Sequence, residues 1–159
     1  MILCGIQALH LNSIIYWDLK LENIMIDKYG IIKIIDFGLS RRLNPGDRAL
    51  TRCGTLGYLA PEVILKIGHD HWTDIWGLGV ILCEMLGGFS PFYHEDPQKM
   101  YENTIFCWIK WPTGLNQIAK HLISQILVID ANMRPSLIEI REHMFFSDIN
   151  WALYAKGKV

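Results

Sequence analysis

The chain lacks any pair of cysteines spaced for a metal or redox site. Cys4, Cys53, Cys83 and Cys107 are scattered over 159 residues with no Cys-x-x-Cys, which argues against a zinc module and reads as the reduced thiols of a cytoplasmic protein. Cys53 reads as an inert small residue in a flexible segment. The six histidines show no ligand spacing that also offers a third partner, and His69-Asp70-His71 reads as a solvated turn. No uninterrupted apolar run reaches the roughly 18 residues of a membrane span; Leu78 to Leu86 is short and contains Glu84. Met1 to Ile6 is apolar but has neither a basic leader nor a small-residue cleavage site, so no signal peptide is expected. Neither sign of charge dominates. Fifteen Lys and Arg face sixteen Asp and Glu, a net charge of −1, so neither nucleic acid nor an anionic membrane is an expected partner. Arg41-Arg42 is too small a patch to change that. Repeats and low-complexity segments are absent.

What is present is one domain's worth of chain. Hydrophobic residues make up 51% and charged residues 19%, which excludes disorder. Ile2, Leu3, Ile6 and Leu9 recur at helical spacing, Asn12-Ser13 ends that helix, and Ile14-Ile15 starts a short strand. Ile24-Met25-Ile26 and Ile31 to Ile35, split by Asp27-Lys28-Tyr29-Gly30, read as a hairpin. Ser40 to Leu59 is a long unpatterned connection with a turn at Asn44-Pro45-Gly46-Asp47; such loops are usually functional. Beyond Pro61 the pattern is helical. Thr73 is the expected cap of a buried helix over Asp74 to Leu86 that Gly87-Gly88 stops. Further helices are expected over Pro97 to Phe106, over Leu115 to Ile129, and from Ser136 through Arg141 with Glu139 completing a capping box. Trp72, Trp76, Trp108, Trp111 and Trp151 read as core or interface anchors.

The most informative stretch is Tyr16-Trp17-Asp18-Leu19-Lys20-Leu21-Glu22-Asn23, followed by Asp36-Phe37-Gly38. It sets two acids, a lysine and an amide at the edges of the hairpin. Asp and Asn offer the hard oxygens that Mg²⁺ takes, together with substrate phosphates. A second Asp beside a Lys suits acceptance of a hydroxyl proton while the Lys steadies a phosphoryl group.

These motifs resemble those of eukaryotic protein kinases. Tyr16 to Asn23 is similar to that family's His/Tyr-Arg-Asp-Leu-Lys-Pro-Glu-Asn, and Asp36-Phe37-Gly38 and Ala60-Pro61-Glu62 stand at activation-segment distance. Asp74-Ile75-Trp76-Gly77-Leu78-Gly79 and Arg134-Pro135 look like the family's Asp-x-Trp-x-x-Gly helix and late arginine. Tyr16, Thr51-Arg52-Cys53-Gly54-Thr55 and Tyr58 to Glu62 resemble the AGC group, the cyclic-nucleotide-dependent kinases in particular. The implied fold is mainly α with short β-hairpins: the C-terminal lobe of the kinase fold over residues 1–146, then the start of an AGC-type tail over 147–159. The N-terminal lobe is expected to be missing, since no Gly-x-Gly-x-x-Gly occurs and neither its Val-Ala-x-Lys strand nor its Glu helix can be assigned.

The resemblance implies ATP and Mg²⁺ as cofactors and a protein Ser or Thr as substrate. Asp18 would orient and deprotonate the hydroxyl. Lys20 would neutralise the transferred phosphoryl, and Thr55 would bond both. Asn23 and Asp36 would be the Mg²⁺ ligands, with Lys20 and Glu22 also at the nucleotide. Thr51 would be the activating phosphorylation site. Glu22 and Glu84 would read a basic residue near the target hydroxyl. Glu62 with Arg134 would brace the activation segment, and Asp74 would hold the catalytic loop from below. Four positions depart from the family: Trp17 replaces the arginine that pairs with the loop phosphate, Leu21 replaces proline, and Leu56-Gly57 replace Pro-Glu. A phosphate on Thr51 would then lean on Arg41, Arg42 or Lys33. The alternative is a truncated or degenerate kinase serving as a binding module; the fragment alone is expected to be nearly inactive.

Overall fold

The computed structural model describes residues 1–44, 46–51 and 53–155. Pro45 of the expected turn, Arg52 of the expected Thr51 to Thr55 run and residues 156–159 of the expected tail lie outside the described residues.

Helix α1 (Ile2–Leu11) turns its apolar stripe inward and buries Ile6 completely. Strand β1 (Ile14–Ile15) follows, and a 3-10 turn (Leu21–Asn23) leads into β2 (Ile24–Ile26), which pairs antiparallel with β3 (Ile32–Ile34) in the register Ile24 to Ile34 and Ile26 to Ile32. The Asp27 carboxylate closes the hairpin by accepting the N–H groups of Tyr29 at 2.9 Å and Ile31 at 3.0 Å. The connection from Ser40 to Leu59, expected as unpatterned, is tied down twice: β4 (Arg41–Arg42) pairs with β1, and Ala49 bridges His69. The two arginines of β4 carry neither a period nor an apolar signal, so the sequence hides that strand.

The helical part follows as α2 (Pro61–Leu65), α3 (Trp72–Gly87), α4 (Pro97–Ile105), α5 (Gln117–Ile126), α6 (Leu137–Glu142) and α7 (Trp151–Ala155). The whole is mostly helical with two small antiparallel sheets. Helix α3 is its axis: Thr73 through Ile81 are all buried. One core packs Ile75, Leu78 and Ile81 against Ile6, Tyr16 and Leu122, and a second packs Trp76, Val80 and Cys83 against Val63, Phe92 and Ile123. Gly79 lets α5 approach α3, since a Cβ there would stand 2.6 Å from Ile126 Cγ2 and 2.8 Å from Leu127 Cδ2.

Two expectations are corrected. Thr73 does not cap α3; the helix starts a residue earlier, Asp70 Oδ1 accepts the Trp72 N–H at 3.0 Å, and the Thr73 hydroxyl instead points to Glu62 Oε1 at 3.4 Å. Helix α5 is shorter than Leu115 to Ile129. Asn116 caps it at Ile118 N, 2.7 Å away, and past Ile126 the chain turns so that the Val128 and Ile129 carbonyls accept from Arg134 at 3.0 and 3.4 Å. Of the tryptophans expected as core or interface anchors, Trp76 is fully buried in the core, while Trp108 is 61% exposed and stacked on Phe106 at 5.0 Å. The capping box of Ser136 and Glu139 is formed. No helix among the described residues is long and apolar enough to cross a membrane.

Arg134 and Glu62 make a two-pronged ion pair, Nη1 to Oε1 and Nη2 to Oε2, each at 2.7 Å, beneath which the Trp76 ring lies 5.0 Å from the guanidinium carbon. Both residues are buried, so each depends on the other for its charge. Glu62→Gln is expected to cost about 3–5 kcal/mol by stranding Arg134, read as a lower midpoint in urea denaturation. Gly79→Ala is expected to cost about 1–3 kcal/mol through overpacking against α5, read in the same assay.

Candidate active site

Strand β1 delivers Tyr16, Trp17 and Asp18 over the first turns of α3. There the Asp74 carboxylate, 1% exposed, accepts the Tyr16 N–H at 2.9 Å on Oδ2 and the Trp17 N–H at 2.8 Å on Oδ1. His10 from the last turn of α1 lies with Nε2 2.8 Å from the same Oδ2, and since a carboxylate only accepts, that nitrogen carries the proton. This three-way hold fixes Trp17 in left-handed backbone at φ 67°.

The next residues converge. Asp18 Oδ1 accepts the Thr55 hydroxyl at 2.7 Å, and Oδ2 lies 2.9 Å from Lys20 Nζ and 3.0 Å from Asn23 Nδ2. Lys20 Nζ donates to Thr55 Oγ1 at 2.7 Å, closing the ring of contacts. Burial raises the Asp18 carboxyl, but the Lys20 ammonium, the Thr55 hydroxyl and the Asn23 amide outweigh it and hold the group below the usual carboxylate range. Asp18 is therefore an anion at neutral pH. The approach of the activation segment needs Gly54, at φ 107°, where a Cβ would meet Trp17 O at 2.9 Å.

Asp36 stands past the end of β3 at φ 58°, its Oδ1 accepting the Gly38 N–H at 3.1 Å. The hairpin brings this end to Asn23, whose carbonyl accepts from Ile35 N at 2.9 Å. Tyr16 joins the two halves: its hydroxyl donates to the Ile35 carbonyl, and Phe37 packs edge-on against its ring at 5.4 Å. Burial pushes the Tyr16 phenol up to about 12, with Asn23 opposing and the Asp18, Asp36 and Asp74 charges adding to the rise. One phenol thus senses Asp18 and Asp36 together.

The donor set suits a hard divalent cation. Asn23 spends its amide nitrogen on Asp18 and keeps its oxygen, and Asp36 spends one carboxylate oxygen on Gly38. No cluster of three or more His, Cys, Asp or Glu that could hold a metal occurs among the described residues. A cation held here would take its remaining oxygens from a phosphate ligand and water, which is how Mg²⁺ is usually bound.

Glu84, on α3, accepts the Tyr58 hydroxyl at 2.5 Å. Burial first, then the bond to Glu84, then the charges of Glu84 and Glu22, push the Tyr58 phenol upward. Thr51 is exposed. Of the cations considered for it, Lys33 is engaged by Asp27 at 3.1 Å, while the Arg41 charge reaches Cys53, where it opposes the burial that raises the thiol.

His69 departs from the expected solvated turn. It is 2% exposed, its ring meets the Trp17 indole edge-on at 4.9 Å, and neither Trp17 Nε1 nor His69 Nε2 has a protein partner among the described residues. The roles of His10, Tyr16, Tyr58 and His69 were not read from the sequence. Only the position of His10 in the last turn of an amphipathic helix could have suggested an inward polar contact.

A protein kinase domain model matches residues 1–146. The chain belongs to the protein kinase family. It is 42% identical to the mouse cAMP-dependent protein kinase catalytic subunit PRKX over 163 residues, covering 99% of this chain and 45% of that protein. It is 41% identical to the cAMP-dependent protein kinase catalytic subunit of Dictyostelium discoideum over 94% of this chain and 24% of that one, and 42% identical to the serine/threonine-protein kinase sck2 of Schizosaccharomyces pombe over 99% and 26%. The resemblance to AGC-group kinases thus holds across nearly the whole chain, which spans less than half the length of each of these relatives.

Burial holds the His69 imidazole below its ordinary value, with Glu62, Asp70 and Asp74 opposing. Its neutral form is favoured in the fold, so the stability it contributes is present above the unfolded value near 6.5 and is lost as pH falls through the lower folded value. Thermal melts between pH 7 and pH 5 are expected to show a fall in midpoint that is shallower in His69→Phe, which keeps a ring against Trp17.

Proposed function

We propose that residues 1–146 are the C-terminal, catalytic lobe of a Ser/Thr protein kinase and that residues 147–159 begin an AGC-type tail. The observation that carries this reading is the closed set of Asp18, Lys20, Asn23 and Thr55 contacts within 2.7–3.0 Å. Asp18, kept ionised, accepts the proton of a substrate Ser or Thr hydroxyl as that oxygen attacks the terminal phosphoryl group and the nucleoside diphosphate leaves. The Thr55 hydroxyl occupies that acceptor in the structure. Lys20 places a positive charge beside the phosphoryl oxygens, and such placed charges commonly dominate catalysis. ATP and Mg²⁺ are the cofactors of this reading. Asn23 and Asp36 would hold the cation, with Lys20 and Glu22 beside the nucleotide, and the metal when bound would neutralise phosphate charge. Glu84, bonded to the Tyr58 hydroxyl, and Glu22, whose charge also acts on that phenol, support a preference for a basic residue near the target. Thr51 is the proposed phosphorylation site, with Arg41, whose charge acts on nearby Cys53, as the cation to pair with its phosphate.

The partner of the site is the nucleotide-covering N-terminal lobe. Met25, Ile26, Phe37 and Leu39 are between 40% and 67% exposed along the hairpin and the Asp-Phe-Gly turn, and an apolar strip of this kind calls for a cover. A cytoplasmic location agrees with the four free cysteines. Trp17 favours a second reading, a kinase-derived binding module, because a buried indole replaces a charged phosphate partner.

Phosphotransfer to a basic Ser/Thr peptide separates the two. The 159-residue chain alone is expected to stay near background. Joined to an N-terminal lobe it is expected to turn over, and Asp18→Asn is expected to lower kcat by about 10²- to 10⁴-fold. A joined protein equally active with and without Asp18 would defeat the catalytic reading, and one inactive in both forms would favour the binding module.

A further inference from the structure

A cavity of about 500 Å³ opens between the last turn of α1, strand β1 and the starts of α3 and α6. None of Asp18, Lys20, Asn23, Asp36 or Thr55 lines it. Its volume falls within the range of about 300–1,000 Å³ typical of small-molecule sites. The walls are apolar, formed by Leu11, Ile14, Trp72, Ile75 and Leu137, while the formal charges among the described lining residues are the two acids Asp47 and Asp70. No lysine or arginine among the described residues lines it. Asp47 Oδ2 takes only the neutral donors of Asn44, at 3.1 and 3.3 Å, and the Arg48 Nε beside Asp70 is 3.9 Å away on a side chain 55% exposed. Burial, with His10 adding and Asp70 opposing, holds the His71 imidazole at the rim below its ordinary value. Asp70 Oδ1 accepts the Trp72 N–H at 3.0 Å with His71 Nδ1 3.7 Å away, so neither acid has a cation within 3.5 Å among the described residues, and an apolar hollow beside two such carboxylates complements one chemistry, a cation on a compact apolar body.

We propose that this cavity binds a small amphipathic amine, its ring or branched body against Trp72 and Ile75 and its ammonium group toward Asp47 and Asp70. The site also touches the catalytic loop through one side chain. His10 lines the cavity and holds Asp74, whose two oxygens take the Tyr16 and Trp17 N–H groups. An occupant that moves His10 moves that carboxylate, so binding reads out at the backbone ahead of Asp18. This site is independent of the phosphotransfer reading, and its test needs no catalysis.

The test is a titration of the 159-residue chain with three probes of one shape, 2-phenylethylamine, 2-phenylethanol and 3-phenylpropionate, followed by amide and indole NMR. The amine is expected to give saturable shifts at the Trp72 indole and the Ile75 amide, with smaller shifts at Tyr16 and Trp17. The alcohol is expected to bind about fivefold more weakly, the scale of a partly exposed ion pair, and the carboxylate more weakly still. Asp47→Asn with Asp70→Asn, which keeps an acceptor for Trp72 N–H, is expected to bring the amine to the level of the alcohol and leave the alcohol unchanged. No saturable shift at Trp72 with any probe overturns the site, and equal affinity for all three overturns the assigned ligand class. The wild-type series decides this even if the double variant does not fold.

Discussion

One buried carboxylate organises the polar half of this molecule. Asp74 stands almost without solvent and accepts from two successive backbone N–H groups and an imidazole. A carboxylate so placed is stable only when its oxygens are filled by donors, and here the donors come from α1 and from the chain between β1 and Asp18. Helix, strand and loop are therefore fixed to α3 by one side chain. The left-handed turn at Trp17 follows from it, and that turn aims Asp18 at Lys20, Asn23 and Thr55. If Asp74 lost its charge, the donors would be stranded and the loop would lose the reason for its shape.

A second hold acts on the other flank. Arg134 reaches back to Glu62 and also to the carbonyls of Trp72, Val128 and Ile129. The end of the activation segment, the start of α3 and the exit from α5 thus share one guanidinium. Between the two holds runs α3, buried on nearly every side and thinned by glycine where α5 and the catalytic loop press closest. Gly77 faces Leu19, where a Cβ would stand 3.2 Å from the Leu19 Cβ. The supports of the site lie in a close-packed interior, while Leu50 and Thr51 stay at the surface.

Much of this was legible in the residues. The hairpin of β2 and β3 follows from isoleucine runs around an Asp-to-Gly turn, and the buried α3 from an apolar stretch ended by two glycines. Motif spacing pointed to Asp18, Lys20, Asn23 and Asp36 as one constellation. What stayed hidden lacks a local signature. Strand β4 has two arginines and no period; only its pairing with β1 makes it a strand. His69 sits among polar neighbours, so its sequence looks wet, yet the bridge to Ala49 and the Trp17 ring bury it. Thr73 has the chemistry of a cap but falls one residue inside the helix, because Asp70 takes the first free N–H. Asp18 and Thr55 are 37 residues apart, and which of the two threonines between Ser40 and Leu59 meets that acid depends on the path of the whole connection.

The spacing of Glu62 and Arg134 bears on how the chain is made. They stand 72 residues apart, and Asp74 stands 58 residues after the Tyr16 N–H it accepts. Chains leave the ribosome N-terminus first at about 5–20 residues per second. The loop holding Asp18 therefore emerges seconds before the carboxylate that shapes it, and the segment ending at Glu62 waits longer still for its arginine. During that interval isoleucine-rich β2 and β3 have α1, made before them, to pack against, but lack the α3 residues of the core they share. Native contacts of such wide separation also slow folding through loop-closure entropy. A nascent-chain holding factor bound to these segments would be released only after the residues around Arg134 had cleared the exit tunnel.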